Sequence, residues 1–123
     1  MSTIPATAAR TAEFISLSHL NPSTELEPIA TRGIDVPYFR RYVQALEEGG
    51  YDYTLLPYGS GSADSFVVAS AVGQLTEHLK PIVALRPNTT HPLVGAQKLA
   101  TLDQLTEGRA VVHLISGGSD AEQ

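Results

Sequence analysis

Two apolar rhythms alternate along the chain. Four short runs are rich in β-branched and aromatic residues and predict strands: EFISLSH over 13–19, YDYTLLP over 51–57, PIVAL over 81–85 and AVVHLI over 110–115. Between them, three longer stretches repeat apolar residues at helical spacing. In the first, 37–49, Tyr38, Tyr42, Val43, Ala45 and Leu46 share a face, Asp35 is placed to cap the start and Gly49-Gly50 to stop the end. The second, 65–79, carries Phe66, Val67, Ala69, Ala71, Val72 and Leu75, with Asp64 or Ser62 as its cap. The third, 92–105, carries Leu93, Val94, Ala96, Leu99, Ala100, Leu102 and Leu105 and ends at Thr106-Glu107-Gly108. The unbroken apolar run Ile82, Val83, Ala84, Leu85 fits a strand buried on both faces, as in parallel sheets covered by helices. The order is therefore βαβαβαβ. Right-handed crossovers of this kind build either a doubly wound sheet or a parallel barrel.

Polar residues gather after the strands. The loops are NPSTELEPIATRGIDVPY after the first, YGSGSAD after the second, RPNTTH after the third and SGGSD after the fourth. Ligands of parallel α/β proteins sit at the carboxyl ends of strands, so RPNTTH and SGGSD are expected side by side. The first loop is too long for a simple turn, a length found in lids and binding loops. Arg86 leaves the third strand toward this side, where a guanidinium can hold a phosphate or sulfonate oxygen through two parallel hydrogen bonds. Ser116 and Gly117 are small enough to let a ring or phosphate approach the backbone. His113 lies inside the fourth strand and faces the ligand side if alternation turns Val111, His113 and Ile115 inward. His19 and Asn21 follow the first strand and are expected on the substrate side. His91, just before Pro92, is expected to cap or pack. Arg109 opens a strand at its amino end, a position of stability rather than chemistry, and Asp103 is likewise assigned to structure.

Composition narrows the function classes. The chain has 123 residues, enough for one compact domain, with 42% hydrophobic residues and a net charge of -5. No run of Lys or Arg marks a nucleic-acid face. The absence of cysteine excludes disulfides, thiolate metal sites and a Cys nucleophile. No apolar run reaches the roughly 18 to 20 residues that cross a bilayer, and the first residues lack a signal-peptide core. A cytoplasmic location is expected, with no membrane partner.

The segment ALRPNTTHP, followed by AQKLATLDQLTEGRAVVHLISGGSD, resembles the bacterial luciferase-like flavin-dependent monooxygenases, most closely the alkanesulfonate monooxygenase branch. The resemblance extends back over 51–79 and, more weakly, to Phe14. It implies a (β/α)8 TIM barrel of which this chain holds about the first four βα units: a loose leader over 1–12 and the amino-terminal half of the barrel over 13–123. It implies reduced FMN as cofactor, delivered by a separate flavin reductase, and oxidation by oxygen of a small sulfonate-like compound. Family members lay the loop after the third strand against the flavin, so of Asn88, Thr89 and Thr90 the resemblance points to Thr89. Tyr58 stands where chelator-oxidising relatives carry an Asp at the flavin edge, and Ser62 where the sulfonate enzymes carry a Cys. Gly117 replaces an Arg of the luciferases, and His113 an Asn of the sulfonate branch, so those two roles do not transfer directly. The implied cofactor contacts are Tyr58, Ser62, Arg86, Thr89, His113, Ser116 and Gly117. Catalytic residues of the family's later strands have no counterpart over 1–123.

Three alternatives stay open on these residues. The chain is a flavin-binding or assembly half-barrel without catalysis, closing a barrel with a second copy or a complementary chain, and exposed sheet edges predict self-association. The fold is the same but the cofactor a deazaflavin, making a hydride-transferring reductase. Or the sheet is a doubly wound nucleotide binder, which the absence of a GxGxxG or Walker pattern argues against.

Overall fold

The computed structural model describes residues 12–27 and 33–117. Its elements are β1 (Ile15–Leu17), α1 (Val36–Glu48), β2 (Tyr53–Leu56), α2 (Ser65–Leu75), β3 (Lys80–Leu85), a 3-10 turn (Pro87–Thr89), α3 (Pro92–Leu105) and β4 (Val111–Leu114). The segments 1–11, covering most of the expected leader, and 118–123, covering the end of the SGGSD loop, lie outside the described residues.

Among the described residues the four strands form one parallel sheet in the order β1-β2-β3-β4. A doubly wound sheet reverses direction at a switch point, whereas here each strand lies beside its predecessor, as in the advancing wall of a barrel. The doubly wound alternative is thereby excluded. Pairing aligns Leu17, Leu55, Ile82 and Val111 across the sheet, and Ala84 with His113. That row marks the face turned away from the helices. The opposite face carries Leu56, Val83 and Leu85, which join Phe39, Val43 and Leu46 of α1, Phe66, Val68, Ala69 and Val72 of α2, and Leu102 of α3 in one core. At roughly 1.5 to 3 kcal/mol for each large apolar side chain removed from water, this layer is the main source of stability.

Local chemistry sets the helix limits. Asp35 caps α1 by accepting from the Tyr38 N–H at 2.9 Å, and Phe39, Val43 and Leu46 recur at i, i+4, i+7 to make its buried stripe. Asp64 caps α2, accepting from the N–H groups of Phe66 and Val67 at 2.9 and 3.0 Å. α2 is shorter than its pattern predicts: it stops at Leu75, not at 79. The reason is a tertiary partner. The Glu47 carboxylate, at the end of α1, accepts the backbone N–H groups of Glu77, His78 and Leu79 at 3.0, 2.8 and 2.7 Å. Those donors would otherwise continue the helix.

The amino end of the sheet is clamped by Arg109, confirming its structural assignment. Its Nε donates to the Thr106 carbonyl, Nη1 to Thr76 Oγ1 and the Leu79 carbonyl, and Nη2 to the Gly73 carbonyl, all at 2.8–3.0 Å. The turn that delivers it runs through left-handed backbone at Glu107 (φ 53°) and Gly108 (φ 78°), with the Gly108 N–H donating to the Asp103 carbonyl.

Two burial expectations change. β3 is not sealed on both faces: Val83 is fully buried but Ile82, on the open side, is half-buried. On α3 only Gly95 and Leu102 are buried, while Leu93 is 73% exposed, because no described element covers the helix side of β4, where Leu114 is 63% exposed.

Candidate functional site

The carboxyl ends of the strands gather the predicted residues into three neighbouring groups. The first lines a cavity of about 780 Å³ between the loops after β1 and β2, within the range of small-molecule sites. His19, Asn21 and Ser62 are all on its wall, with Leu17, Ser18, Leu56, Ser65 and Val68. His19 packs edge-on against the Tyr42 ring, with centroids 5.4 Å apart. Asn21 spends its side chain on the loop itself: the amide donates to the Gly33 carbonyl and its oxygen accepts from the Asp35 N–H at 3.1 Å. It therefore shapes the cavity wall and anchors the entry to α1. Ser62 is exposed at the rim, in a turn closed by its own N–H to the Gly59 carbonyl at 3.0 Å.

Ser18 was not singled out from the sequence. It is 8% exposed, lines the same cavity, and its Oγ has no hydrogen-bond partner among the described residues. A buried hydroxyl without a partner costs roughly 1–3 kcal/mol, a cost that a polar ligand group or a water would remove. The signal was the polar alternation Ser16, Ser18 in an otherwise apolar strand.

The second group joins the ends of β2 and β3. Arg86 is 5% exposed, and its guanidinium carbon lies 5.3 Å from the centroid of the Tyr58 ring, a cation–π contact. The Tyr58 hydroxyl meets Thr89 Oγ1 at 2.8 Å, and Thr89 Oγ1 donates to the Arg86 carbonyl at 2.9 Å. The Thr89 N–H reaches the same carbonyl at 3.1 Å, tying the 3-10 turn to the end of the strand. Asn88 is exposed and stays outside this cluster.

The third group lies one strand further. β4 stays in register with β3 up to Leu114, and the Ile115 N–H donates to the Leu85 carbonyl at 2.9 Å, which sets Arg86 and Ser116 on adjoining strand ends. His113 is exposed on the open face beside Ala84, the side that alternation predicts. Ser116 is exposed, and Gly117 has φ 103°, backbone that side chains other than glycine rarely adopt. His91 caps α3, its Nδ1 accepting from the Leu93 N–H at 3.3 Å. That is the structural role expected of it.

These residues fit a flat heteroaromatic ring bearing carbonyl and N–H edges. A buried guanidinium can serve a carbonyl or an anionic oxygen, and hydroxyls on three loops can serve the ring's polar rim. A Cβ added at Gly61 would meet nothing within 4 Å, which leaves the loop after β2 open for close approach. Among the described residues no cluster of His, Asp or Glu could hold a metal, and no helix is long and apolar enough to cross a membrane.

Solved structures share this fold. EDTA monooxygenase from Chelativorans sp. BNC1 superimposes with a TM-score of 0.76 at 17% identity, over 92% of this chain and 30% of its own. DmoA from Hyphomicrobium sulfonivorans gives 0.69 at 21% identity, over 89% and 29% respectively. The coenzyme F420-dependent tetrahydromethanopterin reductase of Methanopyrus kandleri gives 0.60 at 26% identity, over 68% and 25%. The chain thus spans about a third or less of the length of these proteins. At such identities the first two matches speak to the fold, and both are consistent with four βα units of a barrel. The sequence model of the luciferase-like monooxygenases matches residues 7–123, nearly the whole chain, and the chain belongs to that flavin-binding family.

Proposed function

We propose that this chain carries the flavin-facing first half of a barrel that uses reduced FMN, supplied by a separate reductase, to oxygenate an alkanesulfonate or related small organosulfur compound. The observation that carries the reading is the joining of Tyr58, Arg86 and Thr89 at adjacent strand ends, next to a cavity lined by His19, Asn21 and Ser62. Reduced flavin, when bound, supplies the two electrons needed to activate oxygen. The protein's share is binding and orientation. Arg86, rigidified by the Tyr58 ring, is suited to an anionic or carbonyl oxygen. Thr89 and Tyr58 serve the ring's polar edge, and Ser116 and Gly117 leave room beside it. His113 lines the open face of the sheet, and the cavity after β1 receives the organic substrate, with Ser18 as a buried hydroxyl for its polar end.

A titration of the purified chain with oxidised and reduced FMN tests this. Micromolar binding, followed by oxygen consumption when a flavin reductase and alkanesulfonates are added, is the expected outcome. Absence of binding to either form would remove the reading. The 26% identity to a coenzyme F420-dependent enzyme supports a second reading, a deazaflavin-dependent reductase on the same fold. Hydride transfer from a reduced deazaflavin with no oxygen uptake would favour it over the first.

A further inference from the structure

We infer that the hydroxyl pair Tyr58–Thr89 is wired to present acceptors only, and so selects a ring N–H donor. The inference rests on the flavin reading and adds the polarity of one contact to it.

The argument is a count of protons. Thr89 Oγ1 lies 2.9 Å from the Arg86 carbonyl, which can only accept, so the single threonine proton points there. The Arg86 carbonyl also receives the Thr89 N–H at 3.1 Å, so both donors of this residue converge on one oxygen and the side chain is held in one rotamer. The Tyr58 hydroxyl lies 2.8 Å from the same Oγ1. With the threonine proton committed, Tyr58 must be the donor in that bond. Both hydroxyl protons are then spent inside the protein. What remains toward solvent is lone pairs, one on Thr89 Oγ1 and those on the Tyr58 oxygen. Thr89 is exposed and Tyr58 half-buried, so the lone pairs are accessible. The Arg86 guanidinium beside the Tyr58 ring holds that ring in place.

A carbonyl or a bare ring nitrogen brought to this pair finds no proton and faces two electron-rich oxygens. An N–H finds a ready acceptor. Within a flavin the imide N3–H is a donor in every redox state, and the pair is therefore assigned to that edge. Its neighbour Arg86, a pure donor, complements the flanking carbonyl oxygens.

The test compares FMN with N3-methyl-FMN, which lacks this donor, on the purified chain, on Thr89→Val and Thr89→Ser, and on the double variant Tyr58→Phe/Thr89→Val. The chain should bind FMN about tenfold more tightly than the methylated probe, the scale of one net hydrogen bond lost. Thr89→Ser should keep that ratio. Thr89→Val keeps the shape but frees the Tyr58 proton, and the ratio should fall toward one. Equal binding of the two probes by the unaltered chain would overturn the inference while leaving the flavin reading intact. A tenfold ratio that persists in the double variant would also overturn it, because with both hydroxyls gone only steric exclusion of the methyl group survives. Failure to bind either probe would overturn the flavin reading and the inference with it.

Discussion

Glu47 shows how much one side chain far from the ligand side decides. Burial works to raise its pKa, but the backbone N–H groups of Leu79 and Glu77, the His78 side chain and the His78 N–H outweigh it, and the net direction is below the ordinary carboxylate range. A folded-state pKa below the unfolded one means the charged form is favoured by folding. The stabilisation is therefore complete above the unfolded value and is lost as pH falls through the folded one. Glu47→Gln should lower stability by about 1–3 kcal/mol at neutral pH, with the deficit shrinking as pH drops into the acid range. Urea midpoints of both proteins across pH check this, and a deficit independent of pH would refute the charge-based account. Arg109 works on the same end of the sheet by another route, spending its rigid fork on carbonyls of three segments. Neither role was fully visible beforehand. The position of Arg109 at the start of a strand marked it as structural, but Glu47 sits in an ordinary polar helix end whose partners lie about thirty residues further along.

At the scale of elements, the sequence was readable wherever the cause is local. α3 begins at Pro92 and ends at Leu105 as its periodicity predicts, and Asp35 and Asp64 cap the helices they precede. α2 runs short of its pattern because its continuation is decided by Glu47, a contact no local rhythm reports. The same limit applied to the site. Arg86, Thr89 and Tyr58 could be placed on neighbouring loops by topology, but their mutual bonds depend on side-chain geometry. The Ser16, Ser18 alternation does not by itself point to a site, because serine hydroxyls are commonly satisfied by nearby backbone. The packing of α2 on α3 has one further requirement: a Cβ at Gly73 would lie 2.6 Å from Thr106 Cγ2. Thr106 is fully buried and bonded to the Leu102 carbonyl at 2.8 Å, so it has little room to move. Gly73→Ala is expected to destabilise the protein by about 1–3 kcal/mol despite alanine's higher helix propensity, measured by thermal or urea unfolding. A stabilised variant would show that α3 shifts freely.

On the scale of the whole molecule, the described helices cover the sheet on one face only. Ile15 and Leu17 on the open face of one edge strand are 58% and 48% exposed, and Leu114 on the helix side of the other edge strand is 63% exposed. Exposed apolar side chains on both edge strands, beside unpaired backbone, favour association. Light scattering on the purified chain should give a mass that rises with concentration, and a constant monomer mass at high concentration would contradict this. Leu17→Lys, on the open face of the edge strand β1, should reduce the association without disturbing the core beneath the helices.

The order in which the strands lie has a consequence for how the chain is made. β2 pairs with β1, β3 with β2 and β4 with β3, so the strand on which each newly made one first pairs has already left the ribosome when it emerges. Among these four described strands, none must wait for a later one to insert between its neighbours. The fold can grow in step with translation, one strand and helix at a time.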